Sequence, residues 1–260
     1  MSAALWGRQT CGAVSRLQGV LFLPPIGDTR IIILFSLHDG RISFLRCICH
    51  RCSVPIRELS GLFPSAFFFA EEKENFELPD TEGFIIDPID GTTNFMNGFP
   101  CCAVCVARVR QRQLVDSFIY NPFREEMFTA EAGRGAWLNE QPLHVVSRPP
   151  SRAICLIEDS WKADRIVLRR FFASARCIGS AELGIAYVAC GRAGVKISKL
   201  LHIWDYAAGT LIAREAGALV LDPDGQDAQL TEPGRVVVCC PSCRDAALQA
   251  LREAEAAWKS

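Results

Sequence analysis

"FIIDPIDGTTNF", residues 84–95, is the stretch on which the reading of this chain turns. An apolar run, Phe84 to Ile86, ends in two carboxylates, Asp87 and Asp90, with Pro88 between them and Gly91, Thr92 and Thr93 directly behind. The apolar part predicts a buried strand. Pro88 has no N–H for a ladder and a fixed φ, so neither strand nor helix continues smoothly and the two acids can converge on one point. Paired hard oxygens favour Mg²⁺, Mn²⁺ or Ca²⁺ over a soft metal. Gly91 permits close backbone approach, the N–H groups beside it can meet an anion, and the hydroxyls can orient a water. Two readings stay open on these residues alone: an acidic Asx-type turn, or a cation site joined to a phosphate cradle.

Other acids weigh on that choice. "AEEKE" places Glu71 and Glu72 sixteen and fifteen positions before Asp87, and "IWDYAAGT" places Asp205 after a Trp at a predicted helix start. Two divalent ions about 4 Å apart need about four carboxylates from separated segments, and that many candidates are present.

Around these residues the pattern is orderly. "AVCVARV", "LVDSFIY" and "EEMFTAEAGRGAWLN" alternate like strands of an antiparallel meander. "DRIVLRRFFASA" (164–175) has helical spacing, "RCIGS" reads as a short strand and Gly turn, and "AELGIAYVACGRA" as a helix. "WDYAAGTLIAREAGA" predicts a helix with Asp205 in its first turn and Gly217 at its end, before the strand "ALVLDPDG". "RVVVCC" and "RDAALQALREAEAAW" close the chain as strand and helix. Meander plus alternating segments predicts an α+β or layered α/β enzyme.

Composition narrows the partners. The 260 residues are 50% hydrophobic, enough for a large core, and the net charge of −1 gives no global basic field for nucleic acid. Residues 1–70 hold seven Arg, no Lys and three acids (7 − 3 = +4), leaving −5 for the rest. "GVLFLPPIGDTRIIILFSL" is apolar, but Pro24, Pro25, Asp28 and Arg30 interrupt the roughly 20 apolar residues of a membrane helix, so no span is expected. The first 27 residues, with Arg8 and Arg16 and no acid, are compatible with an organellar targeting peptide or with low-complexity sequence. Thirteen cysteines, an odd number, read as mostly reduced thiols and point to a cytoplasmic location.

"FIIDPIDGTTNF" together with "WDYAAGTLIAREAGALVLDPDG" resembles the two signature motifs of the inositol monophosphatase family, Mg²⁺-dependent and lithium-sensitive phosphomonoesterases. "GRGAWLNEQPLHVVSR" and "GSAELGIAYVACGRAG" also resemble the family, so the likeness runs from about residue 70 to 260. It implies an αβαβα sandwich, a homodimer, and a small phosphorylated sugar or polyol as substrate, with no membrane or nucleic-acid partner. By position it implies metal ligation by Glu71, although Ala70 stands where the family has Gly. It further implies that Asp87 bridges two ions, that the Ile89 carbonyl binds the first, and that Asp90 and Asp205 hold the second. Gly91 and Thr92 would offer backbone N–H groups to phosphate, with Thr92 orienting the attacking water and Asp90 beside it in the catalytic set. Gly179, Ser180 and Ala181 become substrate-side contacts.

Three departures accompany the likeness. The family's two N-terminal helices carry a Lys and an acid that partners the motif threonine, whereas residues 1–70 contain no Lys, and neither Asp28 nor Asp39 has that context. Residues 1–69 therefore read as an atypical, poorly ordered segment replacing the two helices, ahead of a phosphatase domain at 70–260. The pyrimidine-coded run in "LFPSAFFFAEEKE" is consistent with a translated intron end. Ser198 stands where inositol phosphatases have a Glu that holds a sugar hydroxyl, and Lys196 and Lys199 either face a second anionic group or are solvated. The expectation is thus a Mg²⁺-dependent phosphatase of small monoesters, with an inactive, metal- or phosphate-binding or dimerising member as the alternative. "CICHRC" (Cys47–Cys52) lacks a standard zinc spacing, "CPSC" (Cys240–Cys243) reads as a reduced turn, and His202 as a packed neighbour.

Overall fold

Alternation along the strands decides which face of each sheet meets helices. In the computed structural model, which describes residues 17–22, 31–38, 41–49, 65–70, 80–158, 164–231 and 233–259, three sheets form. The proline-interrupted apolar run supplies β1 (Leu17–Phe22) and β2 (Ile31–His38) on either side of Pro24 and Pro25, and β3 (Arg41–Cys49) completes a three-stranded antiparallel sheet. Glu71 and Glu72, residues 1–16 and the His50–Cys52 half of "CICHRC" lie outside the described residues.

The second sheet begins with β4 (Phe67–Ala70) parallel to β5 (Glu82–Asp90). A short helix, α1 (Thr92–Met96), leads to β6 (Ala103–Arg110), β7 (Gln113–Asn121), β8 (Glu126–Glu131), β9 (Gly135–Leu138) and β10 (Gln141–Leu143), each antiparallel to the one before. This is the expected meander, running over six strands from β5 to β10, with β4 added in parallel as the seventh strand of the sheet.

The third sheet carries β11 (Ile154–Ile157), then α2 (Asp164–Leu168), β12 (Ser174–Cys177), α3 (Ala181–Ala189) and β13 (Val195–Leu201). It continues through α4 (Ala207–Glu215), β14 (Leu219–Leu221), β15 (Gly234–Cys239) and α5 (Arg244–Lys259), with strand order β12-β11-β13-β15-β14. On one face Leu156, Val236 and Val238 pack with Leu183, Ile185 and Ile212 of α3 and α4, which also cover Cys105, Ala107, Ile119 and Phe128 of the seven-stranded sheet. On the other face Cys155, Val195, Ile197 and Val237 pack with Leu168 and with Leu248 and Leu251 of α5. The layers therefore run β, α, β, α, an αβαβα sandwich whose leading helical layer is absent among the described residues before β5. Burying a side chain such as Ile185 contributes about 1.5–3 kcal/mol, so the central helices are held by both sheets at once.

Two local expectations are corrected. The helix expected over 164–175 stops at Leu168, because Ser174–Cys177 is drawn into parallel pairing with Ile154–Ile157, where its backbone gains sheet partners. Asp205 is not in the first turn of α4 but in a separate 3-10 turn, Ile203–Asp205, just ahead of it. Among the described residues no helix is long and apolar enough to cross a membrane.

Candidate active site

Residues three apart on a regular strand point to opposite faces. Asp87 and Asp90 escape this because β5 is irregular between them: Asp87 pairs with Cys105 and Asp90 with Ala103, so three steps on β5 match two on β6. The extra residue is a bulge at the proline, and it returns Asp90 to the face of Asp87. That face is the one covered by α3 and α4, since Cys105 and Ala103 belong to the same core as those helices. Both acids are 4% exposed. Asp87 Oδ1 accepts from the Ile89 N–H at 2.8 Å, which fixes the carboxylate over its own bulge.

Asp90 is held by the start of α3. Its Oδ1 accepts from the Ala181 N–H at 2.9 Å; its Oδ2 accepts from the Ser180 hydroxyl and from the N–H groups of Glu182 at 3.0 Å and Leu183 at 3.4 Å. Helix-start N–H groups lack intrahelical acceptors and carry partial positive charge, so a carboxylate there is favoured. Burial nevertheless raises the Asp90 pKa above the usual range, against those hydrogen bonds. Ser180 and Ala181, expected on the substrate side, thus direct these donors to Asp90.

Gly91 explains why the chain can turn here. It sits at φ 85°, and a Cβ would lie 2.9 Å from the Gly179 carbonyl oxygen and 3.0 Å from that of Cys101. Asn94, four residues after Asp90 and not singled out by the sequence reading, donates through Nδ2 to the carbonyls of Cys101 at 2.6 Å and Ile178 at 2.7 Å. It fastens the motif loop to the segment that enters α3. Gly179, exposed at φ 72°, has no room for a Cβ beside the Asn94 amide. Thr92 is exposed, and its hydroxyl donates to the Ile89 carbonyl at 3.0 Å, joining two residues expected at the site.

Asp205 arrives from the other sheet. The Ile203–Asp205 turn packs against β5, and Asp205 Oδ2 accepts from the His202 N–H at 3.0 Å. His202 stacks on Trp204, ring centroids 4.5 Å apart, as a packed neighbour. A carboxylate missed by sequence reasoning completes the region. Glu182, 0% exposed, accepts from the Ala208 N–H at 2.9 Å and the Gly209 N–H at 2.6 Å, at the start of α4. Its signal was an acid in an otherwise apolar helical stretch, "AELGIAYVA". Burial first, then repulsion from Asp90, pushes its pKa far up. The Cys105 thiol registers the convergence: burial raises it, and so do Glu182, Asp90, Asp87 and Asp205 together.

Ser198 and Lys196 behave differently from both readings. They lie buried on β13, where the Ser198 hydroxyl donates to Glu158 at 2.8 Å and Lys196 forms an ion pair with the same carboxylate. Lys196 is therefore neither solvated nor an unneutralised anion receptor. In "CPSC" the thiols of Cys240 and Cys243 point at the Arg148 carbonyl, and both are free.

Among the described residues no three His, Cys, Asp or Glu side chains are set to hold a metal ion as they stand. The donor chemistry of the region nonetheless fits a hard divalent cation. Every donor to Asp90 and Glu182 given above is a neutral N–H or O–H, so these donors bring no formal cation to offset the burial and repulsion that oppose ionisation there. Asp90 Oδ1 carries one hydrogen bond against three on Oδ2 and keeps capacity for a further partner.

The family model for the inositol monophosphatase family matches residues 53–257, starting ahead of the boundary expected near 70. Inositol monophosphatase 2 of Solanum lycopersicum is 37% identical over 236 residues, which cover 84% of this chain and 89% of its own length. The Nus factor SuhB of Xylella fastidiosa is 36% identical over 191 residues, 67% of each chain. The solved inositol monophosphatase of Anabaena superposes with a TM-score of 0.70 at 28% identity, over 76% of this chain and 82% of that one.

Proposed function

The chain belongs to the inositol monophosphatase family, and from that membership we propose that it hydrolyses a small phosphate monoester, an inositol phosphate or related sugar or polyol phosphate, with Mg²⁺ as cofactor. The observation that carries the reading is the bulge in β5, which turns Asp87 and Asp90 to one face against the Asp205 turn.

In this reading Asp87, Asp90, Asp205 and the Ile89 carbonyl hold the ions, with Glu71 as a further ligand. Bound Mg²⁺ supplies a lowered water pKa and charge stabilisation at the phosphate. Thr92 donates its hydroxyl proton to Ile89, which leaves its oxygen lone pairs to accept from a water and aim it. The Gly91 and Thr92 backbone N–H groups take phosphate oxygens, and glycine at 91 is what lets this loop lie against the Gly179 and Cys101 carbonyls. Gly179, exposed across the loop from Gly91, is left to flank the substrate, whereas Ser180 and Ala181 act through Asp90 and Ser198 is held at Glu158. A cytoplasmic homodimer belongs to the same reading; the free thiols of Cys240 and Cys243, three residues apart, support a reducing compartment.

A second reading is a catalytically inactive member. Two observations favour it: α3 occupies both oxygens of Asp90, and residues 1–70 carry no Lys and no acid in the context of the family's helper. Phosphate release from a panel of monoesters, with and without Mg²⁺, separates the two. Mg²⁺-dependent release that Asp87→Asn abolishes supports the enzyme; equal release in that variant, or none from the wild type, removes it.

A further inference from the structure

We propose that Glu182 is a positioning residue that sets the spacing between the Asp90 and Asp205 arms of the metal site; this rests on the phosphatase reading above. The geometry is a bridge made by one residue. At its backbone, Glu182 donates its N–H to Asp90 Oδ2 at 3.0 Å. At its side chain, the two carboxylate oxygens accept from Ala208 and Gly209 at 2.9 and 2.6 Å. Those N–H groups open α4, which begins two residues after Asp205. The strand carrying Asp87 and Asp90 and the turn carrying Asp205 belong to segments far apart in sequence, and Glu182 grips the first and the helix that directly follows the second.

The fit around the bridge is tight. Gly209 has no space for a Cβ, which would lie 2.5 Å from Glu182 Oε2 and 2.8 Å from Ile185 Cβ. Glycine at 209 is therefore what lets the start of α4 reach the carboxylate. Glu182 itself is 0% exposed, so it cannot swing to solvent and its two acceptors have no competing water. Glu182 thus couples to the ion through geometry: it fixes where Asp90 stands relative to the start of α4. A helix cap with no functional role would share the hydrogen bonds but leave the Mg²⁺ affinity unmoved.

The test compares wild type, Glu182→Gln and Glu182→Ala as full-length chains, measuring Mg²⁺ affinity by calorimetry without substrate and thermal midpoints with and without Mg²⁺. Glu182→Gln keeps one acceptor and removes the charge; Glu182→Ala removes the bridge. The expected result is Mg²⁺ binding weakened by about 10- to 100-fold in Glu182→Ala, the size typical of groups that orient metal ligands, with a smaller loss in Glu182→Gln. If Glu182→Ala does not fold, Glu182→Gln carries the comparison. A midpoint lowered equally with and without Mg²⁺, at unchanged Mg²⁺ affinity, overturns the positioning role and leaves the phosphatase reading intact. A wild type that takes up no Mg²⁺ and releases no phosphate overturns both.

Discussion

At its start β5 carries Glu82, which meets the Arg108 guanidinium through Nε at 2.6 Å and through Nη2, while Arg110 adds a contact at 3.1 Å. At its end β5 carries Asp90, which meets a hydroxyl and three backbone N–H groups. The two ends share one strand and one kind of side chain, and differ in whether the described residues bring a formal cation to Glu82 and to Asp90. Arg108 also binds Asp116 at 2.9 Å, so the first end is an ionic cluster spread over three strands. Glu82 is held below the usual carboxylate range: burial opposes its charge, and the two arginines outweigh that. Asp116 is more deeply buried and goes the other way, with Arg108 offsetting only part of the burial. At the far end burial outweighs the neutral donors, and Asp90 is raised. A buried acid matched by arginine is complete as it stands. One held by neutral donors among like charges has, in the proposed reading, a cation from outside as its counter-charge.

That contrast can be broken at either end. Asp87→Asn acts at the Asp90 end: Mg²⁺-dependent phosphate release falls by at least about 10²-fold, since even groups that only orient a metal ligand are worth about 10- to 100-fold. Steady-state assays on an inositol monophosphate check it, with far-UV circular dichroism expected to stay native. Arg108→Met acts at the matched end, strands the buried Asp116 and leaves Glu82 with Arg110 alone; urea unfolding should show a loss of about 3–5 kcal/mol, with Mg²⁺ affinity of the folded protein unchanged. Asn94→Ala loosens the loop between motif and α3. It leaves the carbonyls of Cys101 and Ile178 without that donor, a loss of about 1–3 kcal/mol in the same unfolding measurement.

The smallest effect is one of pH. Because the folded pKa of Glu82 lies below its reference value of 4.5, its contribution is fully present above that value and fades as pH falls through the folded one. Asp116, raised, contributes in the opposite sense: its share is present below its reference value of 3.8 and is lost as pH rises through the folded value. Thermal midpoints between about pH 6 and 3 should therefore fall less steeply in Glu82→Gln than in wild type. An unchanged slope would mean that the arginine contacts do not shape acid stability.

How much of this the residues announce depends on the range of the interaction. Asp87, Asp90 and Asp205 stand in local patterns, a strand end and a helix approach, so their candidacy is legible in sequence. The bulge that puts the first two on one face is not, because it is a register between β5 and β6 and needs Cys105 and Ala103 as reference. Glu182 hides for the same reason: its partners, Asp90 and the start of α4, lie on other segments. Lys196 reads as a surface cation until Glu158 is folded against it. Over residues 174–177 sheet pairing with β11 overrides helical spacing, which local periodicity cannot foresee.

The central claim is that the Asp87–Asp90 end of β5 is built for a divalent cation and the Glu82 end is not. Thermal unfolding of wild type and Asp87→Asn across a Mg²⁺ titration tests it most directly. A ligand at about 100 times its Kd stabilises by about 2.7 kcal/mol, which for a domain of this size raises the midpoint by roughly 5–10 °C. The account predicts that rise in wild type and its loss in Asp87→Asn. A wild-type midpoint that ignores Mg²⁺, or an Asp87→Asn midpoint that rises equally, would contradict it.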